Sequence, residues 1–385
     1  MQRNTLAVTA GFAMFSMFFG SGNLVFPLLV GASSQSHFGL GTLGLFATGI
    51  FVPFLGLLSM IVMEGKRAAF FQELGRAPAF ILTLMMLALM GPVGVSARCI
   101  IVAFAGTQLV VPELTLPVFS FLFCVITAAL CWQQKRVVTI IGHYLTPFLL
   151  ASILLIIAMG VFHAPALMPS QHTAKQAFHI GVSEGYQTMD LLAAFFFCAS
   201  TITYLKIQQT LSPSKDSLMT VSLKASCVGI ILLGAVYAGF VYLGAAYAPM
   251  LVGVPPEKML VVIAGQVLGD FATPVMAATI GLACLTTLII LTNLFAEFVS
   301  HEVTEDRLPR KASLVITLVI SFVVSLSGFT RLAHWLGGAL SIAYPALIAL
   351  ALAKIAEKVF DIQKVKLVPW CFYTTLILAA GFSLL

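Results

Sequence analysis

The sequence is poor in charge. Asp, Glu, Lys and Arg together make up 9% of its 385 residues, whereas about 25% is usual in soluble globular domains. Hydrophobic residues make up 60% of the chain, and the mean hydropathy is +1.06. This balance excludes an ordinary soluble domain. It predicts an all-α polytopic membrane protein, because a backbone inside lipid must satisfy its hydrogen bonds within each segment.

Motifs of common enzymes and metal sites are also scarce. The chain has no HExxH motif and no pair of aspartates within an apolar segment, so we expect no enzyme activity. Its seven Cys lie in or at the ends of apolar segments, without a CxxC pair, and are interpreted as small buried hydrophobes. The spacing of His163, His172 and His179 fits no metal template. We therefore predict that the protein needs no cofactor.

Eleven apolar segments approach or exceed the length of about 20 residues with which a helix crosses a bilayer. They are residues 5–31, 40–63, 78–110, 115–132, 137–162, 186–206, 220–247, 272–298, 312–328, 332–353 and 367–385. Of the 20 Lys and Arg residues, 16 fall in connections on one side or at the segment ends beside them, three fall in connections on the other side, and one, Arg98, lies deep within a segment. This asymmetry accounts for the net charge of +6 without a nucleic-acid partner. It also predicts a cytoplasmic N-terminus.

The order of the segments predicts two repeats of opposite orientation within one transmembrane domain, 1–385. Five segments precede the polar link 163–185, and five follow it before the last one. The first repeat would span 5–162 and the second 186–353, with 367–385 as an additional terminal helix. Inverted repeats of this kind are typical of transporters, whose binding site lies at the repeat interface and is formed by discontinuous helices.

The first segment is interrupted by Gly20-Ser-Gly-Asn23. Glycine is a poor helix former, and Pro27 removes the helical hydrogen bond to the carbonyl of Asn23. We expect unwound backbone here, whose N–H and C=O groups can hold a small ligand and an ion. The alternative is a kinked helix whose glycines allow close packing against a neighbour.

The second repeat should contain a matching break in its first segment. Small and hydroxyl residues interrupt an aromatic run at Phe197-Cys-Ala-Ser-Thr201, which is the candidate. A further proline follows Ser341-Ile-Ala-Tyr in the tenth segment, where Pro345 frees the carbonyl of Ser341. That position fits either a gate or a static kink.

Two adjacent hydroxyls, those of Thr286 and Thr287, lie in the eighth segment. Neighbouring helical residues project about 100° apart, so both oxygens can converge on one cation and make a weak sodium site. The alternative is that both hydroxyls bond back to their own helix. Asn293 and Glu297 lie on the same helical face as Thr286 and suggest a water-filled route to the cytoplasm. The alternative is that Glu297 only marks the cytoplasmic interface of the membrane.

Arg98 is the basic residue placed deep within a segment. Such a placement costs about 2.5–3.5 kcal/mol on insertion scales unless the charge is partnered or wetted, so it is a functional hypothesis by default. Candidate partners are Asp190, Glu184 and carbonyls freed at a helix break. A purely structural ion pair is the alternative.

Three motifs together resemble the bacterial branched-chain amino acid:cation symporter family (LIVCS family). They are Phe19-Gly-Ser-Gly-Asn-Leu-Val-Phe-Pro27, Glu184-Gly-Tyr-Gln-Thr-Met-Asp190 and Leu282-Ala-Cys-Leu-Thr-Thr287. The resemblance implies a LeuT-like fold of five plus five inverted helices, with broken first and sixth helices. The family commonly has twelve membrane spans, whereas the apolar segments of this chain predict about eleven transmembrane helices. It also implies sodium-coupled symport of leucine, isoleucine and valine in the bacterial inner membrane.

The same resemblance implies the site residues. Sodium would be held by hydroxyl and carbonyl oxygens of Ser16, Phe19, Ala283, Thr286 and Thr287. The amino acid would be held by Gly20, Ser21, Gly22 and Asn23 on one side and by Cys198, Ala199 and Ser200 on the other. The chain departs from the family pattern at Leu28 and Ala97, where a proline is usual, and a glycine usually found near Cys198 is missing.

Other functions remain open at this stage. The same fold could couple transport to protons through Glu297 or Asp190, or carry another small neutral solute such as a nucleobase. A passive channel would pass solute without concentrating it. The predicted partners are the amino acid, the sodium ion and the lipid bilayer, and the sequence leaves the oligomeric state open.

Overall fold

The computed structural model describes residues 2–132, 146–211, 217–269, 272–360 and 366–383. Within these ranges every regular element is helical and no strand occurs. The α-helices are α1 (Gln2–Phe18), α2 (Ser21–Ser34), α3 (Phe38–Phe46), α4 (Val52–Val62), α5 (Arg67–Gln72), α6 (Arg76–Met90), α7 (Val95–Thr107), α8 (Leu116–Trp132), α9 (Thr146–Phe162), α10 (Ala174–Gln187), α11 (Asp190–Leu211), α12 (Leu218–Ala246), α13 (Met259–Leu268), α14 (Ala272–Phe298), α15 (Arg310–Ser325), α16 (Phe329–Phe360) and α17 (Leu367–Ser383). Residues 133–136, between the fourth and fifth predicted segments, lie outside the described residues.

Several of these helices join into longer apolar segments. Six stretches are long and apolar enough to cross a membrane: Ser21–Val62, Arg76–Thr107, Ala174–Ile207, Leu218–Ala246, Pro274–Val303 and Phe329–Phe360. Four shorter apolar helices accompany them, at Leu6–Phe18, Leu116–Trp132, Phe148–Phe162 and Leu367–Phe382. The pairs α1 with α2, α3 with α4, and α6 with α7 each correspond to one predicted segment, whereas α11 corresponds to the predicted segment 186–206 and α10 lies mostly in the predicted link. The all-helical, multi-pass class predicted from the sequence is confirmed.

The first segment is broken as predicted, but over a shorter stretch. α1 ends at Phe18 and α2 begins at Ser21. Gly20 precedes α2 with φ −123° and ψ −166°, an extended conformation. Gly22 and Asn23 are already helical, because the first turn of a helix needs no intrahelical N–H partners and tolerates them. Pro27 remains inside α2.

The predicted break in the second repeat is in the wrong place. α11 runs without interruption through Phe197-Cys-Ala-Ser-Thr201, where the Thr201 hydroxyl donates to the carbonyl of Phe197 in the same helix at 3.1 Å. The interruption lies instead at Thr188 and Met189, between α10 and α11. Met189 has φ +61°. The helical segment also starts at Ala174, earlier than the predicted residue 186, so much of the expected polar link is helical.

Glycines allow close contacts of α2, which follows the first break, and of α10, which precedes the second break, with neighbouring helices. A Cβ on Gly31 of α2 would lie 1.9 Å from the carbonyl oxygen of Val241 in α12. A Cβ on Gly44 of α3 would lie 2.1 Å from the carbonyl oxygen of Phe178 in α10. Close backbone approach through small residues is a common way to pack membrane helices.

The run 181–185 has the GxSxG pattern of serine hydrolases, but it lies inside α10 and not at a strand-to-helix turn.

The tenth segment keeps its proline within a continuous helix. α16 runs from Phe329 to Phe360 with Pro345 inside it. The Ser341 hydroxyl donates to the carbonyl of Gly338 at 2.8 Å. This position therefore does not form a third helix break.

Candidate functional site

The two helix breaks are joined by a buried polar network. Asn23 lies in the first turn of α2, and Asp190 is the first residue of α11. The Asn23 amide nitrogen lies 3.3 Å from each carboxylate oxygen of Asp190. Tyr237 of α12 is fully buried beside them. Three helices thus bring polar side chains together next to the two helix breaks.

The direction of the hydrogen bonds in this network is defined. The Asn23 Oδ1 accepts from the backbone N–H of Gly20 at 3.3 Å, so its NH2 group faces Tyr237 and Asp190. That group donates to the Tyr237 hydroxyl at 2.6 Å, and the hydroxyl donates to Asp190 Oδ2 at 2.6 Å. The carboxylate of Asp190 is therefore the final acceptor of the network.

A second cluster, of neutral oxygens, lies where the first break meets α14. The Thr287 hydroxyl is 3.5 Å from the carbonyl oxygen of Phe19 and 3.0 Å from that of Ala283. The Thr286 hydroxyl is 2.8 Å from the carbonyl of Ala283. Both hydroxyls donate to the carbonyl of Ala283 in their own helix, which agrees with the alternative given in the sequence analysis. The hydroxyl of Thr287 also lies near the carbonyl of Phe19 at the first break. Ser16 lies one turn before Phe19 in the last turn of α1.

These oxygens fit the chemistry of sodium. Hydroxyl and carbonyl oxygens suit a hard cation, and the absence of a carboxylate among these five residues suits weak, reversible binding. Four of the five predicted ligands are linked by the distances above. Their role as sodium ligands stays a prediction.

The predicted substrate residues of the first segment are all buried around its break. A Cβ on Gly20 would lie 3.3 Å from the Thr287 methyl, and one on Gly22 would lie 3.4 Å from the Phe26 ring and from the Cα of Thr188. The Ser21 hydroxyl accepts from the thiol of Cys99 on α7 at 3.4 Å. Larger residues at these positions would close the space between the two breaks.

The structure does not bring the other predicted substrate residues to this place. The thiol of Cys198 points to the carbonyl of Leu57 on α4, at 3.6 Å. Ala199 lines a cavity farther along α11, and the side chain of Ser200 lies outside the described residues. They lie about 12–15 Å from the start of α11, because a helix rises about 1.5 Å per residue. Met17 at the end of α1 meets Thr201 instead, with sulfur and hydroxyl oxygen 3.9 Å apart.

Arg98 is bound to the second break. Its guanidinium donates to the backbone carbonyl of Gln187 at 2.7 Å and to the side-chain oxygen of Gln187 at 2.5 Å. It lies over the rings of Phe26 and Phe329, 4.9 and 5.8 Å from their centroids. Of the predicted partners, a freed carbonyl, the last one of α10, accepts a hydrogen bond from Arg98, and the charge of Glu184 also interacts with the guanidinium. A cation at a helix C-terminus also interacts favourably with the helix dipole.

A cavity of about 650 Å³ lies beside the later turns of α11, away from the second break at its start. α5, α6, α11 and the end of α14 line it, and its polar residues include Arg67 and Glu302. These two side chains form an ion pair at 3.6 Å, and the Arg67 guanidinium lies 5.1 Å from the ring centroid of Phe196. Burial lowers the pKa of Arg67, and the charge of Glu302 opposes that shift.

The polar face predicted for α14 is turned away from this cavity. The Asn293 amide donates to Cys131 of α8 at 3.5 Å and accepts from Arg310 of α15 at 2.5 Å. Arg310 also lies 3.8 Å from Glu297. Leu294, and not Asn293, lines the cavity. The stripe therefore packs between helices in this structure.

Tyr237 is the site residue that the sequence analysis missed. It is one of eight tyrosines and lies in an otherwise apolar segment, so its position in the sequence carries no signal. Asp190 was singled out only as a partner for Arg98 or as a proton carrier. Only the packing of α12 against α2 and α11 shows that Tyr237 and Asp190 belong to one network.

An apolar helical fold with two broken helices and polar clusters at the breaks defines a membrane transporter. The structure resembles that of Mhp1, described as a nucleobase-cation-symport-1 family transporter in a closed conformation with bromovinylhydantoin bound. The TM-score is 0.65 with 14% sequence identity, and the match covers 98% of this chain and 91% of that one. The likeness confirms the LeuT-like fold.

The chain belongs to the family described as branched-chain amino acid transport protein, whose sequence profile matches residues 2–383. It is 28% identical to the branched-chain amino acid permease BrnQ of Bacillus subtilis (strain 168), over 92% of this chain and 81% of that protein. It is 29% identical to BrnQ of Haemophilus influenzae, over 98% of this chain and 86% of that protein. The protein is accordingly a transport protein and not an enzyme.

Proposed function

We propose that the protein is a secondary active transporter that uses a sodium gradient to import leucine, isoleucine and valine. It would lie in a bacterial inner membrane with its N-terminus in the cytoplasm. The description of the family and the names of the two permeases support the substrate class. The observation that carries the sodium part is the approach of the Thr287 hydroxyl to the carbonyl of Phe19 at the first break, at 3.5 Å.

Sodium would be a co-transported substrate at the neutral-oxygen cluster. Its ligands would be the carbonyls of Ser16, Phe19 and Ala283 and the hydroxyls of Thr286 and Thr287. Phe19 belongs to the break, whereas the threonines belong to α14. An ion between them would hold the end of α1 against α14, and this is how ion binding would be coupled to the shape of the substrate site.

The amino acid would bind at the first break beside the ion. The N-terminus of α2 presents backbone N–H groups and the positive end of a helix dipole to a carboxylate. Gly20 and Gly22 leave the backbone open to close approach at this point. The branched aliphatic side chain needs only an apolar pocket, and aromatic residues such as Phe19 and Phe26 lie next to the break.

Thr287→Ala tests the sodium site. We measure uptake of radiolabelled leucine into proteoliposomes with an inward sodium gradient and, in parallel, with potassium on both sides. The variant should need about tenfold more sodium for half-maximal uptake, which corresponds to the loss of one oxygen ligand worth about 1.4 kcal/mol.

Thr279→Ala is the matched control. Thr279 is a buried threonine of the same helix, but its hydroxyl donates to the carbonyl of Val275 at 2.7 Å and lies 3.2 Å from the Ser152 hydroxyl on α9. This variant should keep the sodium dependence of the wild type. An unchanged sodium requirement in Thr287→Ala would remove the assignment.

Proton coupling is the second candidate, favoured by the buried carboxylate of Asp190 between the two breaks. The same proteoliposomes distinguish the two mechanisms. Uptake that follows an inward proton gradient and ignores sodium would select the proton. A neutral solute other than a branched-chain amino acid would be recognised by its competition with labelled leucine.

A further inference from the structure

Asp190 is a buried carboxylate without a cationic partner. It is 1% exposed and lies at the first residue of α11. Its hydrogen-bond donors are neutral groups, the amide of Asn23 and the hydroxyls of Tyr237 and Thr188. In the part of the chain that the structure describes, no Lys, Arg or His forms an ion pair with it. In its ionised form the carboxylate is therefore stabilised by dipoles alone.

The guanidinium of Arg98 serves another group. Both of its terminal nitrogens donate to Gln187, and its faces are covered by Phe26 and Phe329. Arg98 thus holds the end of α10 rather than compensating Asp190. An ion buried away from water without a partner costs several kcal/mol, and an ionisable residue inside a membrane protein is by default functional.

The geometry around Asp190 indicates which ligand would compensate its charge. The Asn23 and Tyr237 donors point toward the carboxylate, an arrangement that suits its ionised form. Its Oδ1 lies 3.3 Å from the Asn23 amide, a long hydrogen bond, and a carboxylate has about four acceptor positions, so acceptor capacity remains. The missing group is a cation that also donates hydrogen bonds.

We propose that Asp190 binds the α-ammonium group of the transported amino acid. This rests on the proposed function, because it assigns one end of the amino acid within the same site. The carboxylate of the substrate would lie at the N-terminus of α2, and Asn23 links the two ends through Gly20 and Asp190. The site thereby requires a free primary ammonium group and rejects acids that lack one.

The test compares leucine with 4-methylpentanoate, which is leucine without its amino group. Binding of both ligands to the purified full chain in sodium is measured by calorimetry, for the wild type and for Asp190→Asn. The wild type should bind leucine at least about 100-fold more tightly, because a site built for a charged donor leaves its carboxylate unpaired with the analogue. Asp190→Asn should lose about 10- to 100-fold for leucine while binding 4-methylpentanoate unchanged.

Ser226→Ala is the matched variant for a merely structural role. It removes a buried hydroxyl of the same helix as Tyr237, but this hydroxyl donates to the carbonyl of Ser222 at 2.9 Å, so any loss should be equal for the two ligands and their affinity ratio should persist. An equal loss for both ligands in Asp190→Asn would overturn the proposal, as would an unchanged affinity for leucine. Asp190→Glu restores the charge and should recover part of the discrimination.

The wild-type measurement keeps the proposal testable if Asp190→Asn fails to fold. Wild-type protein that binds 4-methylpentanoate as tightly as leucine would overturn the ammonium assignment and leave the proposed function intact. Protein that ignores leucine, isoleucine and valine but binds another α-amino acid, and rejects its des-amino analogue, would overturn the proposed substrate and support the role of Asp190. Protein that binds no α-amino acid would overturn both.

Discussion

The two helix breaks meet at one site, yet they are built differently. The first break contains Gly20 in an extended conformation, between helices that end at Phe18 and begin at Ser21. The second contains no glycine, and its Met189 has φ +61° although it is a buried L-residue. A left-handed conformation costs an ordinary residue about 1–2 kcal/mol. The first break is therefore encoded locally, whereas the second must be imposed by its surroundings.

Contacts with distant parts of the chain hold the second break. Arg98 on α7 binds the last carbonyl of α10, and Gln187 donates to the carbonyl of Ala333 on α16 at 2.9 Å. On the other side of Met189, Asp190 accepts from α2 and α12. These contacts join the break to four other helices. Residues held in strained conformations persist where the surrounding structure determines them, and they are common at functional sites.

The contacts around Arg98 also separate the two sides of the site. They lie on the side formed by α2, α10 and the start of α16, while the cavity of about 650 Å³ lies on the side of α5 and the later turns of α11. In the proposed orientation the cavity faces the cytoplasm. The second break is thus bounded by the contacts of Asp190 and by those of Arg98, and three comparisons of variants test what each break depends on.

The largest effect is expected from Arg98→Met. Methionine keeps most of the apolar contact with Phe26 and Phe329 but removes both hydrogen bonds to Gln187. The backbone carbonyl of Gln187 then stays buried without its charged donor. Removing one partner of a buried charged interaction costs about 3–5 kcal/mol. The melting temperature of the detergent-solubilised protein should fall accordingly. Arg331→Met, at an exposed position of α16, is the control, and an equal fall in both variants would show that Arg98 does not hold the break.

A smaller effect is expected from Gly31→Ala, which acts on the half-helix after the first break. The new methyl would lie 1.9 Å from the carbonyl oxygen of Val241, so α2 and α12 must separate. Overpacking of this kind costs about 1–3 kcal/mol. Gly281→Ala is the control, because no atom lies within 4 Å of the methyl there, and thermal unfolding should show it as stable as the wild type or more so. Equal melting temperatures of the two variants would argue against a tight contact between α2 and α12.

The smallest effect concerns the backbone of the second break. Met189→Gly and Met189→Ala both lose the buried side chain, but glycine adopts φ +61° without strain. Met189→Gly should therefore be more stable than Met189→Ala by about 1 kcal/mol. Met276, a buried methionine within α14, should show the opposite order, because alanine is favoured over glycine by about 1 kcal/mol in a helix. The same order at both positions would contradict a left-handed Met189.

The sequence alone determined the parts that depend on composition and local propensity. Low charge and long apolar runs specify a polytopic helical protein, and Gly20 and Gly22 mark the first break because glycine weakens a helix wherever it stands. The adjacent hydroxyls of Thr286 and Thr287 were visible for the same reason, since neighbouring residues need no tertiary structure to be near each other. These features were predicted from a few residues each.

Only the tertiary structure decided where the second break lies and what surrounds it. No residue between Thr188 and Asp190 weakens a helix as glycine does, and the small residues near Cys198 proved compatible with a helix. Arg98 lies 89 positions before Gln187, whose carbonyl it binds. Tyr237 lies 47 positions after Asp190, to which its hydroxyl donates. Burial makes such polar contacts strong enough to outweigh local helix propensity, and burial is a property of the packed helices and not of any one segment.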